Sequence, residues 1–220
     1  MTILALEFST EQRTVAILQR VAGVSPAVPA SIARSDSRDI GGLTLVEDAL
    51  RNAGVERETV GCIAVGLGPG SYTGIRSGIA LAQGWQLVRD VKLVGVSSVD
   101  CLAEMTRQQD LLGRVNYVID AQRDEFYLAA YEIDANRAEV VEPLRLATHA
   151  EVHARERAGE LIVGPEVTRW FSSGKTLIPD AGVLAALAAH HSNFVPGEKM
   201  EPIYLREVKF VKAPPPRRIE

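Results

Sequence analysis

Lysine is missing from the one stretch of this chain that reads like a phosphate-binding loop. "GLGPGSYTGIRSG", Gly66 to Gly78, places glycines after an apolar strand pattern and then runs into helix. A phosphate cradle of the Walker type enters its helix through Gly-Lys-Ser/Thr, with the lysine on the outer phosphates and the hydroxyl on Mg²⁺. Here Ser71, Tyr72, Thr73 and Gly74 make the entry. Either the loop holds an anion through backbone N–H groups alone, or it serves something other than a nucleotide. Positive charge is not in excess either: 24 Lys and Arg stand against 28 Asp and Glu, a net charge of -4. That balance excludes a global field able to hold nucleic acid or an anionic membrane, so any RNA role must borrow a partner's basic surface. Cysteine is limited to Cys62 and Cys101, both in apolar settings, as expected of small packed hydrophobes in a reducing compartment. No apolar run approaches membrane-spanning length, and Met1 to Leu6 enters a strand pattern without a basic leader, so a cytoplasmic chain with no membrane contact is expected.

What is present is a core of ample size, 46% hydrophobic in 220 residues, and a pattern written twice. Ile3 to Phe8, the polar turn Ser9 to Arg13 and Thr14 to Leu18 read as a hairpin, and Val28 to Ala33 as a third strand. Leu43, Val46, Ala49, Leu50 and Ala53 recur at helical spacing before Gly54, a C-terminal cap. Strand Cys62 to Leu67, a helix from Ser71 to about Val88, strand Leu93 to Val96 and a helix from Ser98 follow. The second half repeats the order on a smaller scale. It has the hairpin Val115 to Ile133 with its tip at Asp120 to Glu125, strand Glu139 to Ala147, helix His149 to Ala158, strand Leu161 to Val163 and helix Asp180 to His191. The polar stretch Arg107 to Arg114 divides a unit 1–108 from a smaller unit 109–220, whose tail carries Pro214 to Pro216 and basic residues. Right-handed crossovers place the Gly42 and Ser71 helices side by side on one face of a sheet, where their outer faces make one surface.

In the Ser71 helix Gly74, Gly78 and Ala82 recur at i, i+4 and i+8. Glycine costs a helix interior up to about 1 kcal/mol relative to alanine, so the stripe needs a compensating close approach. Packing on the chain's own sheet and docking of a partner both supply one, and the apolar neighbours Ile75, Ile79 and Trp85 serve either.

At these residues the chain becomes recognisable. "GLGPGSYTGIRSGIALAQG", "ILALEFSTE", "LVGVSSVDCLA", "YVIDAQRDEFYLAAYE" and "EPIYLRE" together resemble the TsaB (YeaZ) family of bacterial tRNA-modification subunits, from residue 3 to about 210. The resemblance implies an α/β, actin-like ATPase (ASKHA, RNase H-like) fold, a duplicated βββαβαβα unit with a reduced second half. It also implies a non-catalytic scaffold that pairs with the catalytic subunit TsaD. With the ATPase TsaE, that pair supports threonylcarbamoyl transfer to N6 of adenosine 37 in tRNAs reading codons that begin with A. Contact with TsaD, or homodimerisation in its absence, would run through the two helices Gly42–Ala53 and Ser71–Val88, and the expected interface is Leu43, Val46, Leu50, Gly74, Ile75, Gly78, Ile79 and Ala82. Where the family has Asp, Thr and Arg this chain has Glu7, Phe8 and Leu67, and at the second hairpin tip Gln122 and Asp124 replace Arg and Gly.

Other chemistry can be read from the residues. Glu7, Ser9 and Thr10 opposite Asp120 could line a nucleotide cleft with Mg²⁺, as in actin-like phosphotransferases. No cofactor is expected on the isolated chain, and ATP or ADP with Mg²⁺ only in the complex. His149 and His153 lie four apart on one helical face, as two metal ligands would, and as a solvated face also would. Ser71 and Ser97 lack a sequence-legible base for peptidase chemistry. Lys209, Lys212, Arg217 and Arg218 could touch tRNA phosphates or form a basic disordered end.

Overall fold

The computed structural model describes residues 1–19, 29–36 and 41–206. Its first sheet takes β1 (Thr2–Glu7), β2 (Arg13–Gln19), β3 (Ser31–Ser35), β4 (Val60–Gly66) and β5 (Lys92–Val96) in the order β3-β2-β1-β4-β5. The hairpin pairs antiparallel, and β1, β4 and β5 run parallel. The apolar run of β1 is buried throughout because both faces are covered. Leu4 and Leu6 point to one side, Ile3 and Ala5 to the other.

Helices α1 (Gly42–Ala53) and α2 (Tyr72–Val88) cover the first side, as the crossover rule requires. Leu45, Val46, Ala49 and Leu50 face the sheet from α1, and Gly54 closes that helix at φ 62°. After β5 comes α3 (Ser98–Gln108), and the second sheet then repeats the plan. It contains β6 (Gly113–Asp120), β7 (Glu125–Ile133), β8 (Ala138–Thr148), β9 (Leu161–Gly164) and β10 (Lys175–Thr176), ordered β10-β9-β6-β7-β8. Helix α4 (His149–Arg157) covers its outer side with Val152, and α5 (Ala181–Ala188) ends the second unit.

The reduction expected of the second half falls at one place, and the packing of the halves adds a feature that the sequence did not show. Between β9 and β10 the second half has only a single 3₁₀ turn, Val167–Arg169, where the first half has the 17-residue α2; both that turn and the two-residue β10 are too short to leave a periodic trace. The halves also exchange helices across the boundary at 108/109. Helix α5 packs its Ala181, Leu184, Ala185 and Ala188 on Ile3, Ala5, Ala16 and Leu18 of the first sheet. Helix α3 turns Val99, Leu102 and Ala103 toward Val115, Tyr117 and Tyr131 of the second. The result is five layers, α1 and α2, first sheet, α3 and α5, second sheet, α4, with the exchanged pair at the centre. The third strand begins at Ser31, and Val28, with the tail beyond 206, lies outside the described residues.

Candidate functional site: a helix face and a cleft

Seven of the eight residues expected at the partner interface lie in the chain's own core. Val46, Leu50, Ile75, Ile79 and Ala82 are buried with Leu4, Leu6, Ile63 and Val65, and Gly74 and Gly78 are buried on α2. A Cβ on Gly78 would stand 3.4 Å from Val65 and 3.5 Å from Phe8. The small-residue stripe thus brings α2 onto its own sheet, one of the two readings its spacing left open. Leu43 alone of the eight is exposed, at 53%. The outward side of α2 carries a second small stripe, Thr73, Ser77, Ala80 and Gly84, which periodicity hid because it is polar at one end. Leu87 and Val88, 88% and 84% exposed, stand at its C-terminal end, Tyr72 lies at the far, N-terminal end beside the cleft, and Leu43 is exposed at the start of the neighbouring helix. Leu87 and Val88 are the most exposed large apolar side chains among the described residues.

The glycine loop owes its composition to close packing on the first strand. A Cβ on Gly74 would fall on the Phe8 carbonyl oxygen and one on Gly70 on that of Ser9. The amide of Ser71 donates to Ser9 O at 2.6 Å. The Ser71 hydroxyl caps α2, accepting from the Gly74 amide at 3.3 Å. Ser97 caps α3 in the same way, from the Val99 amide at 3.2 Å. Both hydroxyls considered for peptidase chemistry are therefore engaged at helix starts.

Glu7 departs from its expected place. It is wholly buried and lies outside the lining of the cleft, wedged where a Gly66 side chain would be. It accepts from the Ser9 amide at 2.8 Å and the Ser98 hydroxyl at 2.9 Å. Burial pushes its carboxyl above the usual range, while those hydrogen bonds pull the other way and Asp180 adds to the rise. The extra methylene relative to Asp carries the carboxylate under Ser98, at the start of α3.

Ser9, Thr10 and Asp120 do meet across an open cleft of about 1240 Å³ between the halves. Thr10 donates its hydroxyl to Gln12 O at 2.7 Å. Asp120 accepts from the Gln122 amide and side chain at 2.7 and 2.8 Å, holding the β6–β7 tip in shape. Arg76, Arg123, Arg169 and Arg206 share the cleft with Tyr72, Trp170 and Tyr204, a group that sequence spacing could not assemble because it comes from four separate segments. His149 stacks on Phe126, ring centroids 4.2 Å apart, and His153 pairs with Glu156 at 3.3 Å; both rings serve the packing of α4.

The comparisons with known proteins agree with this geometry. A family profile described as "TsaD: tRNA N6-adenosine threonylcarbamoyltransferase" matches residues 8–179. The tRNA threonylcarbamoyladenosine biosynthesis protein TsaB of Escherichia coli (strain K12) is 31% identical over 94% of this chain and 95% of its own length. That of Bacillus subtilis (strain 168) is 26% identical over 87% and 82%. A crystal structure described as an uncharacterized protein with similarity to peptidase YEAZ from Pseudomonas aeruginosa superposes with a TM-score of 0.77 at 27% identity, covering 93% of this chain and 99% of that one. YeaZ from the same organism gives 0.74 at 26% identity. The duplicated sheets are those of the actin-like ATPase fold. With TsaB relatives matched along nearly its whole length and the TsaD-type domain over residues 8–179, the chain belongs to the TsaB family of tRNA threonylcarbamoyladenosine biosynthesis proteins.

Proposed function

We propose that this chain is the non-catalytic scaffold of a tRNA-modifying assembly. It pairs with a TsaD-like catalytic subunit, works with a TsaE-like ATPase, and meets tRNA only through the complex, whose reaction is N6-threonylcarbamoylation of adenosine 37. The observation that carries this reading is the outward face of α1 and α2, where Ala80 and Gly84 leave room for a helix to approach and Leu43, Leu87 and Val88 supply apolar area. In the partner's absence the same face joins two copies of the chain. The engagement of Ser71 and Ser97 as caps and the burial of Glu7 support a chain that carries no catalysis of its own. Nucleotide with Mg²⁺ enters at the subunit boundary of the complex, and the isolated chain binds none.

Size-exclusion chromatography with light scattering, on the chain alone and mixed with the TsaD subunit of the same organism, tests the pairing. The expected result is a self-dimer that exchanges for a one-to-one heterodimer. Ala80→Arg puts a bulky charge on the outward stripe and abolishes both species while the chain still melts cooperatively. A chain that ignores TsaD, or an Ala80→Arg variant that still pairs, overturns the assignment. Mg-ATP leaves the melting temperature of the isolated chain unchanged; a shift that grows with ligand concentration as RT ln(1 + [L]/Kd) contradicts the cofactor reading.

A further inference from the structure

The last described stretch leaves α5 and returns to the first half. The Val195 amide donates to Leu93 O at 2.9 Å beside β5. Gly197 donates to Gln86 and accepts from Gln83 of α2, each at 2.8 Å. Met200 is buried in the α1–α2 core, and the Ile203 amide donates to Leu67 O at 2.9 Å. Up to residue 203 the segment is a fixture of the first half. Tyr204 then lies on α2: its ring centroid is 5.8 Å from that of Tyr72, and its hydroxyl accepts from Arg76 Nε at 2.9 Å. The Arg76 guanidinium lies 4.3 Å from the Tyr72 ring centroid and 5.7 Å from that of Tyr204. Two residues on, Arg206 donates to Gln122 O at 2.8 Å and to the Glu125 carboxylate at 2.5 Å, both on the β6–β7 tip of the second half.

That tip is the most contorted backbone described. Gln122, Arg123 and Asp124 have φ of 61°, 58° and 60°, three successive non-glycine residues in the left-handed region. Such a turn persists only where contacts around it hold it. Asp120 grips it from within, and Arg206 grips it from across the cleft.

We propose that Tyr204 to Arg206 form a latch over the mouth of the cleft, tying α2 of the first half to the hairpin tip of the second, and that releasing it opens the cleft. The exchanged helices α3 and α5 join the halves at the back, so the mouth is where the walls are free to part. All the latch residues line the cleft, together with Tyr72 and Arg76 that seat it.

The test is a distance measured across the molecule by double electron–electron resonance, with spin labels on Ala80→Cys and Arg157→Cys, both exposed; the label at residue 80 fills the outward stripe and keeps the chain monomeric, as Ala80→Arg does, so the distance is intramolecular. The native thiols stay unlabelled because Cys62 and Cys101 are wholly buried. The parent is expected to give one narrow distribution. Tyr204→Ala with Arg206→Ala is expected to broaden and shift it, as is Arg206→Glu alone, while adding Glu125→Arg to Arg206→Glu brings it back toward the parent. A distribution unchanged in the double alanine variant, with cooperative melting retained, overturns the latch. Should the labelled cysteines impair folding, small-angle scattering of the unlabelled variants decides: a larger radius of gyration in the double variant supports the latch, and an unchanged one overturns it.

Discussion

Glu7 has no contact with solvent, and its raised carboxyl pKa ties stability to pH in a definite direction. The folded chain keeps the proton at pH values where the unfolded chain has released it, so folding takes up a proton and stability falls as pH rises through the folded value. The contribution is complete below the ordinary carboxylate range and is lost above the raised one. Glu7→Gln mimics the protonated form. Its amide oxygen still accepts from the Ser9 amide, and its NH₂ donates to the Ser98 hydroxyl. Denaturant unfolding is therefore expected to show the variant more stable than the parent at pH 8, with the difference shrinking toward pH 5. A variant less stable at pH 8 would show that the charged form is the one the site holds. Gly74 offers a second test at this scale, since a methyl there collides with backbone, which cannot rotate away as a side chain can. Gly74→Ala is expected to cost about 1–3 kcal/mol in the same measurement, the usual range for overpacking.

Helix α2 presents small residues on two faces, and only one of them was legible. Gly74, Gly78 and Ala82 stand out in the sequence because glycine in a helix needs a reason, but spacing alone cannot say whether a sheet or a partner supplies it. The sheet does: Ile75 and Ile79 flank the stripe and are buried with it. The outward stripe escaped notice because Thr73 and Ser77 read as ordinary solvated positions. Glu7 was misplaced for a related reason. The end of the first strand is plain from the apolar run, but whether its last side chain turns into the cleft or under α3 depends on Gly66 and Ser98, which come from other segments. The outward stripe yields its own prediction at Gly84, where a Cβ would meet nothing within 4 Å. In the monomeric Ala80→Arg background, Gly84→Ala is expected to raise stability by up to about 1 kcal/mol through helix propensity alone. A loss of stability there on thermal or urea melting would mean that the chain's own packing covers the position.

At the scale of the molecule, the order of strands and helices was readable because each half repeats it and right-handed crossovers fix the first layer. The central layer was not readable. Nothing in the periodicity of Ala181–Ala188 says that it covers the first sheet, because a helix made of Ala, Val and Leu fits any apolar surface. A division at residue 108 therefore separates sequence repeats that are joined in packing. A fragment of residues 1–108 keeps the first sheet and α3 but loses Leu184, Ala185 and Ala188 from the sheet's inner side. It also leaves Val99 and Leu102 of α3 without Tyr117 and Tyr131. Two apolar surfaces are then open at once, each worth roughly 25 cal/mol per Å² of area returned to water, against a net stability that for whole domains is only about 5–15 kcal/mol. The fragment is expected to bind a hydrophobic dye and to melt without a cooperative transition, while the full chain melts in one step by both far- and near-ultraviolet circular dichroism. A fragment that melts cooperatively as a monomer would show that the first sheet stands without its borrowed helix, and the full chain should then unfold in two resolved steps.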